Sequence, residues 1–382
     1  MSLSVYVHFP WCLQKCPYCD FASGSIQPEQ IPHAAYADAI LRELETHSST
    51  LAEAEVSSVF FGGGTPSLWA PKELGRVLAA LLSRCATVAP DLEVTVECNP
   101  SSLNRSKAAA LAQVGVNRLS VGVQSLDAGR LRFLGRLHDA PGALRALQDA
   151  QAEVKRVSGD LMFGMPGQST ADFMEEVRRV ADLGLSHMSV YALTIEPETQ
   201  FGALHRKGRL QLAPEETFAE AFAATQALLG THGYGHYEIS NYAQTGEESR
   251  HNQHYWRAGS YLGLGAGAVG CLRWPQQGGR RYRNDPNPQR YMTHADQPAR
   301  EISHETLAAQ DTIREGLMLG LRTSAGVHLP SLGKLAGVDP RTGRQAALQR
   351  QVAQGNLLDD GHTIQVPQTR WLHLDSIVAE LF

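Results

Sequence analysis

No run of ~18 consecutive apolar residues occurs in the chain, so a membrane-spanning helix is not expected. Basic charge is not in excess either: 34 Lys and Arg face 39 Asp and Glu, a net charge of −5. That balance speaks against bulk nucleic-acid binding and against a polybasic membrane anchor. The opening residues, Met-Ser-Leu-Ser-Val-Tyr, show no basic segment followed by an apolar one, so no secretory signal is expected. Low-complexity tracts are missing. Cysteine is scarce, six in 382 residues, and its spacing is not that of a disulfide framework. A site built on thiolates needs a reducing compartment, so the expected location is the cytoplasm.

Half of those cysteines stand together. Cys12, Cys16 and Cys19 form a C-x3-C-x2-C string directly after Leu3–Phe9, an apolar run that reads as a strand. Thiolates suit iron–sulfur clusters or zinc. Closed sites of either kind normally use four ligands, and the next cysteine is Cys85. Three thiolates would leave one iron of a [4Fe–4S] cluster open to nitrogen and oxygen atoms of a substrate. A zinc site completed by His8, or unconnected thiols, are the competing readings at this point.

Through the first half of the chain, strand-like runs alternate with helical patterns. The runs are Ser4–His8, Val56–Phe61, Leu92–Glu97, Arg118–Val123, Val157–Phe163 and His187–Leu193. Leu74, Val77, Leu78, Leu81 and Leu82 recur at the i, i+3, i+4, i+7, i+8 spacing of an amphipathic helix. Helices are also expected near 34–46, 104–113, 142–151 and 170–183. Alternation of this kind implies parallel strands with helical crossovers, an α/β fold. A doubly wound sheet and an incomplete TIM-like barrel both fit, and either would gather its chemistry at the strand C-termini. Beyond Pro197 a helix is expected over 214–230, a strand over 236–242, and then a glycine-rich, aromatic middle. From about Glu301, helices over 307–321 and 341–354, a hairpin and a last helix suggest a winged-helix-like module without a basic recognition face.

Several polar residues fall where strands end. Gly62-Gly63-Gly64-Thr65 lacks the lysine of a phosphate loop, and its glycines allow close approach of backbone to a ligand. Glu97 could accept hydrogen bonds from a diol. Gln124, Arg136 and Asp160 could complete a polar site, Arg136 being suited to a carboxylate. Gly265–Gly270 matches G-x-G-x-x-G, but the next residues are β-like and broken by Pro275, so it reads as a tight turn beside a ligand cavity rather than a dinucleotide fingerprint. Arg250–Trp256, with His251, His254, Tyr255 and Trp256, could line a pocket for a flat macrocycle with an axial imidazole, or could be a packed loop.

Taken together, Tyr6–Cys12, Cys16–Phe21, Gly62–Ser67, Glu97–Pro100, Gly122–Ser125 and residues 160–166 resemble the radical S-adenosylmethionine (SAM) superfamily. Within it they are similar to oxygen-independent coproporphyrinogen III oxidases and their HemW-type haem-chaperone relatives. The resemblance implies an incomplete parallel (β/α)6 TIM-like barrel with a small C-terminal helical, winged-helix-like domain. Residues 1–200 would be the partial barrel, 201–300 its extension and a connecting region, and 301–382 the C-terminal domain. It further implies a [4Fe–4S] cluster on Cys12, Cys16 and Cys19, and SAM held by Tyr6, Gly63, Gly64, Thr65, Glu97, Gln124, Arg136 and Asp160. The oxidases carry a fourth cysteine where this chain has Phe21, and an N-terminal segment ahead of the first strand. Phe21 and the His251-Asn252-x-x-Tyr255-Trp256 string look instead like the haem-chaperone subgroup. The implied function is delivery of haem to acceptor haemoproteins, with His251 the candidate haem residue and coproporphyrinogen oxidation the alternative. An electron donor is implied only where SAM is cleaved, and peripheral membrane association is compatible with this reading.

Overall fold

Apolar and polar side chains alternate along the first strand, β1 (Ser2–Phe9). Leu3, Val5, Val7 and Phe9 are fully buried in one apolar cluster with Ile40 and Leu44 of helix α1 (His33–Thr46). Ser4, Tyr6 and His8 take the opposite face, as a period of two requires. The computed structural model describes residues 2–382. After β1 come β2 (Glu55–Gly63), β3 (Thr87–Cys98), β4 (Arg118–Gln124), β5 (Arg156–Phe163) and β6 (His187–Ala192), each parallel to the one before. The crossovers are α1, α2 (Pro71–Leu82), α3 (Arg105–Gln113), α4 (Ala140–Glu153) and α5 (Thr170–Ala181). Helix α2 buries Leu74, Val77, Leu78 and Leu81, the predicted stripe. Side chains of Asn104, Asp139 and Ser169 accept the N–H of N3 residues and start α3, α4 and α5.

The sheet then grows at both edges. Residues 236–242, expected as one strand, form a hairpin: β7 (Gly235–Glu238) and β8 (Asn241–Ala243), antiparallel against β6. On the far side of β1 lies β9 (Ser260–Leu264), also parallel. β10 (Val269–Trp274), β11 (Gly278–Asn284) and β12 (Glu301–Leu307) follow as an antiparallel meander. The whole is a 12-stranded sheet with a parallel centre, the incomplete TIM-like barrel of an α/β protein.

Helix α6 (Glu215–Thr231) lies where the pattern put it and packs on α5. Arg250–Trp256 is not a loop but a short helix, α7. The Asp285–Pro288 turn runs directly into α8 (Pro288–His294), capped by Asn287, which periodicity alone does not reveal. The helix expected from Leu307 begins at Ala309 (α9, Ala309–Gly320), because Leu307 still pairs with Gly279 in the sheet. The C-terminal module continues with β13 (Val327–His328), α10 (Leu329–Ala336), α11 (Gln345–Ala353), β14 (Leu358–Asp359) and β15 (Thr363–Gln365). Its small sheet has the order β13-β15-β14, the helix–strand–helix–helix–hairpin plan of a winged helix.

Candidate functional site: a cavity over the cysteine loop

The loop after β1 is closed by its own backbone. Trp11–Cys12 pairs with Gly24–Ser25, Ile26 N–H donates to the Cys12 carbonyl at 2.9 Å, and Gly24 N–H to that of Pro10 at 2.9 Å. Lys15 reaches across, its Nζ donating to the carbonyls of Phe21 and Ser23 at 3.0 Å each. Held in this hoop, Cys12, Cys16 and Cys19 are free thiols of intermediate exposure. Burial pushes the Cys12 and Cys19 thiols up from their ordinary value, so a bound cation is what would keep them as thiolates.

His8 does not complete a zinc site. Its Nε2 contacts the Ala22 carbonyl at 2.9 Å, which makes that nitrogen the donor, and its Nδ1 takes the Tyr6 hydroxyl at 3.0 Å. Both ring nitrogens are thereby spent. Among the described residues no three His, Cys, Asp or Glu side chains converge on a single-ion site.

The glycine loop is zipped to the cysteine loop. Gly64 N–H donates to the Phe9 carbonyl at 2.7 Å and Thr65 N–H to that of Trp11 at 2.8 Å. The Gly63 N–H donates to Glu97 Oε2 at 3.1 Å. Only glycine fits here: Gly63 has φ +105°, and a Cβ on it would lie 2.5 Å from the His8 ring. A Cβ on Gly64 would lie 2.5 Å from the Trp11 carbonyl oxygen.

Inward positions of β3 to β6 are mostly polar, and they face one cavity of about 550 Å³. Tyr6, Cys12, Cys16, Cys19, Gly63, Gly64, Thr65, Glu97, Gln124, Arg136, Asp160 and His251, all singled out in the sequence, line it. Burial pushes the Glu97 and Asp160 carboxyls up, and the charge of Asp160 adds to the rise at Glu97, which reaches about 7. Asp160 accepts from Ser120 and Ser158 at 2.8 and 2.9 Å. Arg136 donates to the Gly122 carbonyl at 2.6 Å and contacts Cys16 Sγ at 3.6 Å. Gln124 ends β4 at φ +65°, a left-handed conformation uncommon for a non-glycine residue. His251 packs on Phe60, ring centroids 4.9 Å apart, and its Nδ1 meets Ser58 Oγ at 2.8 Å. Burial drives its pKa down to about 3, so the ring is neutral.

Three predicted residues leave buried polar atoms without a partner: Gln124 Oε1, Arg136 Nε and His251 Nε2. So does His138, through Nδ1, a residue the sequence did not assign to the site. Ser120, Met162, Ser189, Tyr191 and Arg118 also line the cavity and were missed. The signal was present as alternation: Arg118, Ser120, Gly122 and Gln124 share one face of β4. The Gly265–Gly270 turn packs on the His8 carbonyl, Ala22 and Pro286 and is not among the cavity-lining residues. It buttresses the cysteine loop from behind.

A parallel partial barrel with three loop thiols at the mouth of such a cavity defines a radical SAM protein, and the Radical SAM superfamily model matches residues 6–180. The chain is 38% identical to heme chaperone HemW of Escherichia coli over 72% of this chain and 71% of that one. It is 35% identical to HemW of Bacillus subtilis over 85% and 84% of the two chains. It is 34% identical to mouse radical S-adenosyl methionine domain-containing protein 1, mitochondrial, over 99% and 87%. The chain belongs to the HemW family. The crystal structure of E. coli coproporphyrinogen III oxidase, a radical SAM enzyme, superposes with a TM-score of 0.80 at 22% identity, covering 99% of this chain and 89% of that one; this shows the shared fold.

Superfamily membership implies SAM and a [4Fe–4S] cluster. The residues present fit both: soft free thiols for the cluster, and orphaned acceptors and donors on the cavity wall for a polar ligand.

Proposed function

We propose that this chain is a haem chaperone, binding haem and passing it to acceptor haemoproteins, with a SAM-binding [4Fe–4S] centre in support. The similarity to relatives named heme chaperone HemW, over most of both chains, carries the reading. Phe21 in place of a fourth cysteine supports it over coproporphyrinogen oxidation. In this proposal Cys12, Cys16 and Cys19 ligate three irons. Glu97 accepts from the ribose hydroxyls, Gly63, Gly64 and Thr65 hold the amino-acid end, and Arg136 pairs with its carboxylate. Tyr6, Gln124 and Asp160 close the walls around it. When bound, the cluster supplies a one-electron reductant beside a sulfonium, and an electron donor is needed only if SAM is cleaved. His251, neutral and with a free Nε2, is the imidazole offered to haem. A reducing cytoplasm suits the thiolates, and no helix among the described residues is long and apolar enough to cross a membrane.

One anaerobic experiment tests the reading. The cluster is reconstituted, then haem and coproporphyrinogen III are offered separately in the presence of SAM. Retained haem that transfers to an apo-haemoprotein is expected, with coproporphyrinogen unchanged. Conversion of coproporphyrinogen without haem retention would replace the proposal by the oxidase. Alanine at Cys12, Cys16 or Cys19 is expected to remove most of the iron.

A further inference from the structure

Arg118 is the one inward residue of β4 that the SAM-side reading leaves without a task. Six positions, about 20 Å of strand, separate it from Gln124 at the cysteine end. It lies 3% exposed yet lines the cavity. Among the described residues, no carboxylate stands within ion-pairing distance of its guanidinium, and no side-chain hydrogen bond uses it. The nearby acids Glu93, Glu97 and Asp160 feel its charge at longer range but make their direct bonds elsewhere. Glu93 pairs with Arg156 at 2.7 Å and accepts the N–H groups of Arg250 and His251 at 3.1 and 3.0 Å. Asp160 accepts from two serines, and Glu97 from Gly63. A guanidinium carries five donors and stays charged when buried, so donors without a direct acceptor are left facing the cavity.

A second observation points to the same place. His251 Nε2, 1% exposed as a residue, has no partner and also faces the cavity. Around it Tyr6, Phe60 and Tyr255 supply aromatic walls: Phe60 stacks on both His251 and Tyr6, and Tyr255 meets His251 edge-on at 4.6 Å. A guanidinium with no direct partner, beside a neutral imidazole and three rings, suits a flat apolar ligand that carries an acid.

We propose that Arg118 anchors an anion site at the inner end of the cavity, taking a ligand carboxylate. Two carboxylates are within the chemistry described: a propionate of haem, which rests on the haem-chaperone reading, and the methionine carboxylate of SAM, should Arg136 not be its partner. Esterified haem separates them, since it keeps the ring and loses the charge.

The test uses the full chain with its cluster reconstituted, as wild type, Arg118→Gln and Arg118→Lys. Each is titrated anaerobically with haem, haem dimethyl ester and SAM, with iron content and thermal unfolding as controls for folding. Arg118→Gln is expected to weaken haem binding at least tenfold while leaving the ester, SAM and iron content unchanged, and Arg118→Lys to recover part of the loss. A loss confined to SAM would support the anion site with the methionine carboxylate as its occupant. Equal losses for haem and its ester, or no loss for haem and SAM alike, would overturn it. Failure of wild type to hold haem at all would instead count against the chaperone reading, and the SAM titration would still decide whether Arg118 binds a carboxylate.

Discussion

At the scale of single residues, Glu97 combines two demands. It accepts the Gly63 N–H, which shapes the glycine loop, and it presents a carboxylate to the cavity. Burial raises its pKa to about 7; Asp160 adds to the rise, while the Gly63 N–H and Arg118 oppose it. Burial, and then the Glu97 charge, push the Tyr6 hydroxyl up. A carboxyl that holds its proton more tightly folded than unfolded stabilises fully below the unfolded value, about 4.3. That stability is lost as pH rises through the folded value. In cluster-free protein, denaturant unfolding between pH 5 and 8 should therefore show wild type losing stability relative to Glu97→Gln. The difference should be on the order of 1 kcal/mol, an unscreened shift being discounted because the group faces an open cavity. Parallel pH profiles for the two proteins would contradict the assignment. A diol ligand donating to the carboxylate should shrink the difference.

At the scale of elements, helix α7 has only seven residues and cannot hold its register by its own hydrogen bonds. Glu93, fully buried in β3, does it instead: Oε2 and Oε1 accept the first N–H groups of the helix. Ser249 caps the same turn, its hydroxyl accepting the Asn252 N–H. Burial opposes charge on Glu93, but Arg118, Arg156 and those N–H groups outweigh it and hold the carboxyl below the usual range. Glu93→Gln should cost about 2–4 kcal/mol in denaturant unfolding, since Arg156 and the helix terminus lose a buried anion. It should also loosen His251, seen as faster hydrogen exchange over 250–256. Acid should mimic it, because stability carried by a depressed carboxyl is lost as pH falls through its folded value. This arrangement also explains what was legible beforehand. The six parallel strands read clearly because helical stripes and apolar runs alternate without interruption. Helix α7 did not, since its residues are polar and aromatic and its N-terminal anchor lies some 160 positions away in sequence. β11 and β12 were hidden differently: Arg280, Arg281 and Arg283 crowd one strand, which nonetheless buries Tyr282 and Asn284, and Ile302 on the other is 51% exposed, so neither shows an apolar alternation. Arg118 opens its strand, and its inward face was legible only through the alternation it shares with Ser120, Gly122 and Gln124.

At the scale of the molecule, the C-terminal module is fastened to the barrel through its first helix. Glu315 of α9 lies between Arg273 of β10 and Arg281 of β11, bonding both, and Arg273 also donates to Thr312 at 3.2 Å. Arg273 is 4% exposed. A second clasp joins Arg322 to Glu238 at 2.8 Å, with Gln368 Nε2 donating to the His236 carbonyl at 2.7 Å and Trp371 packed edge-on against the His236 ring. The two clasps grip opposite ends of the 12-stranded sheet, β10–β11 at one and β7 at the other, so the module bridges the open side of the partial barrel. Removing the first by Glu315→Ala strands a buried guanidinium, a change worth about 3–5 kcal/mol when nothing replaces the partner. The expected outcome is a lower unfolding temperature and tryptic cleavage near Arg314 and Arg322, with the reconstituted cluster's iron content unchanged, because the cysteine hoop is closed by bonds within residues 10–26. Loss of iron in that variant would mean that the bridge also holds the cavity mouth, and that the barrel and its C-terminal module form one cooperative unit.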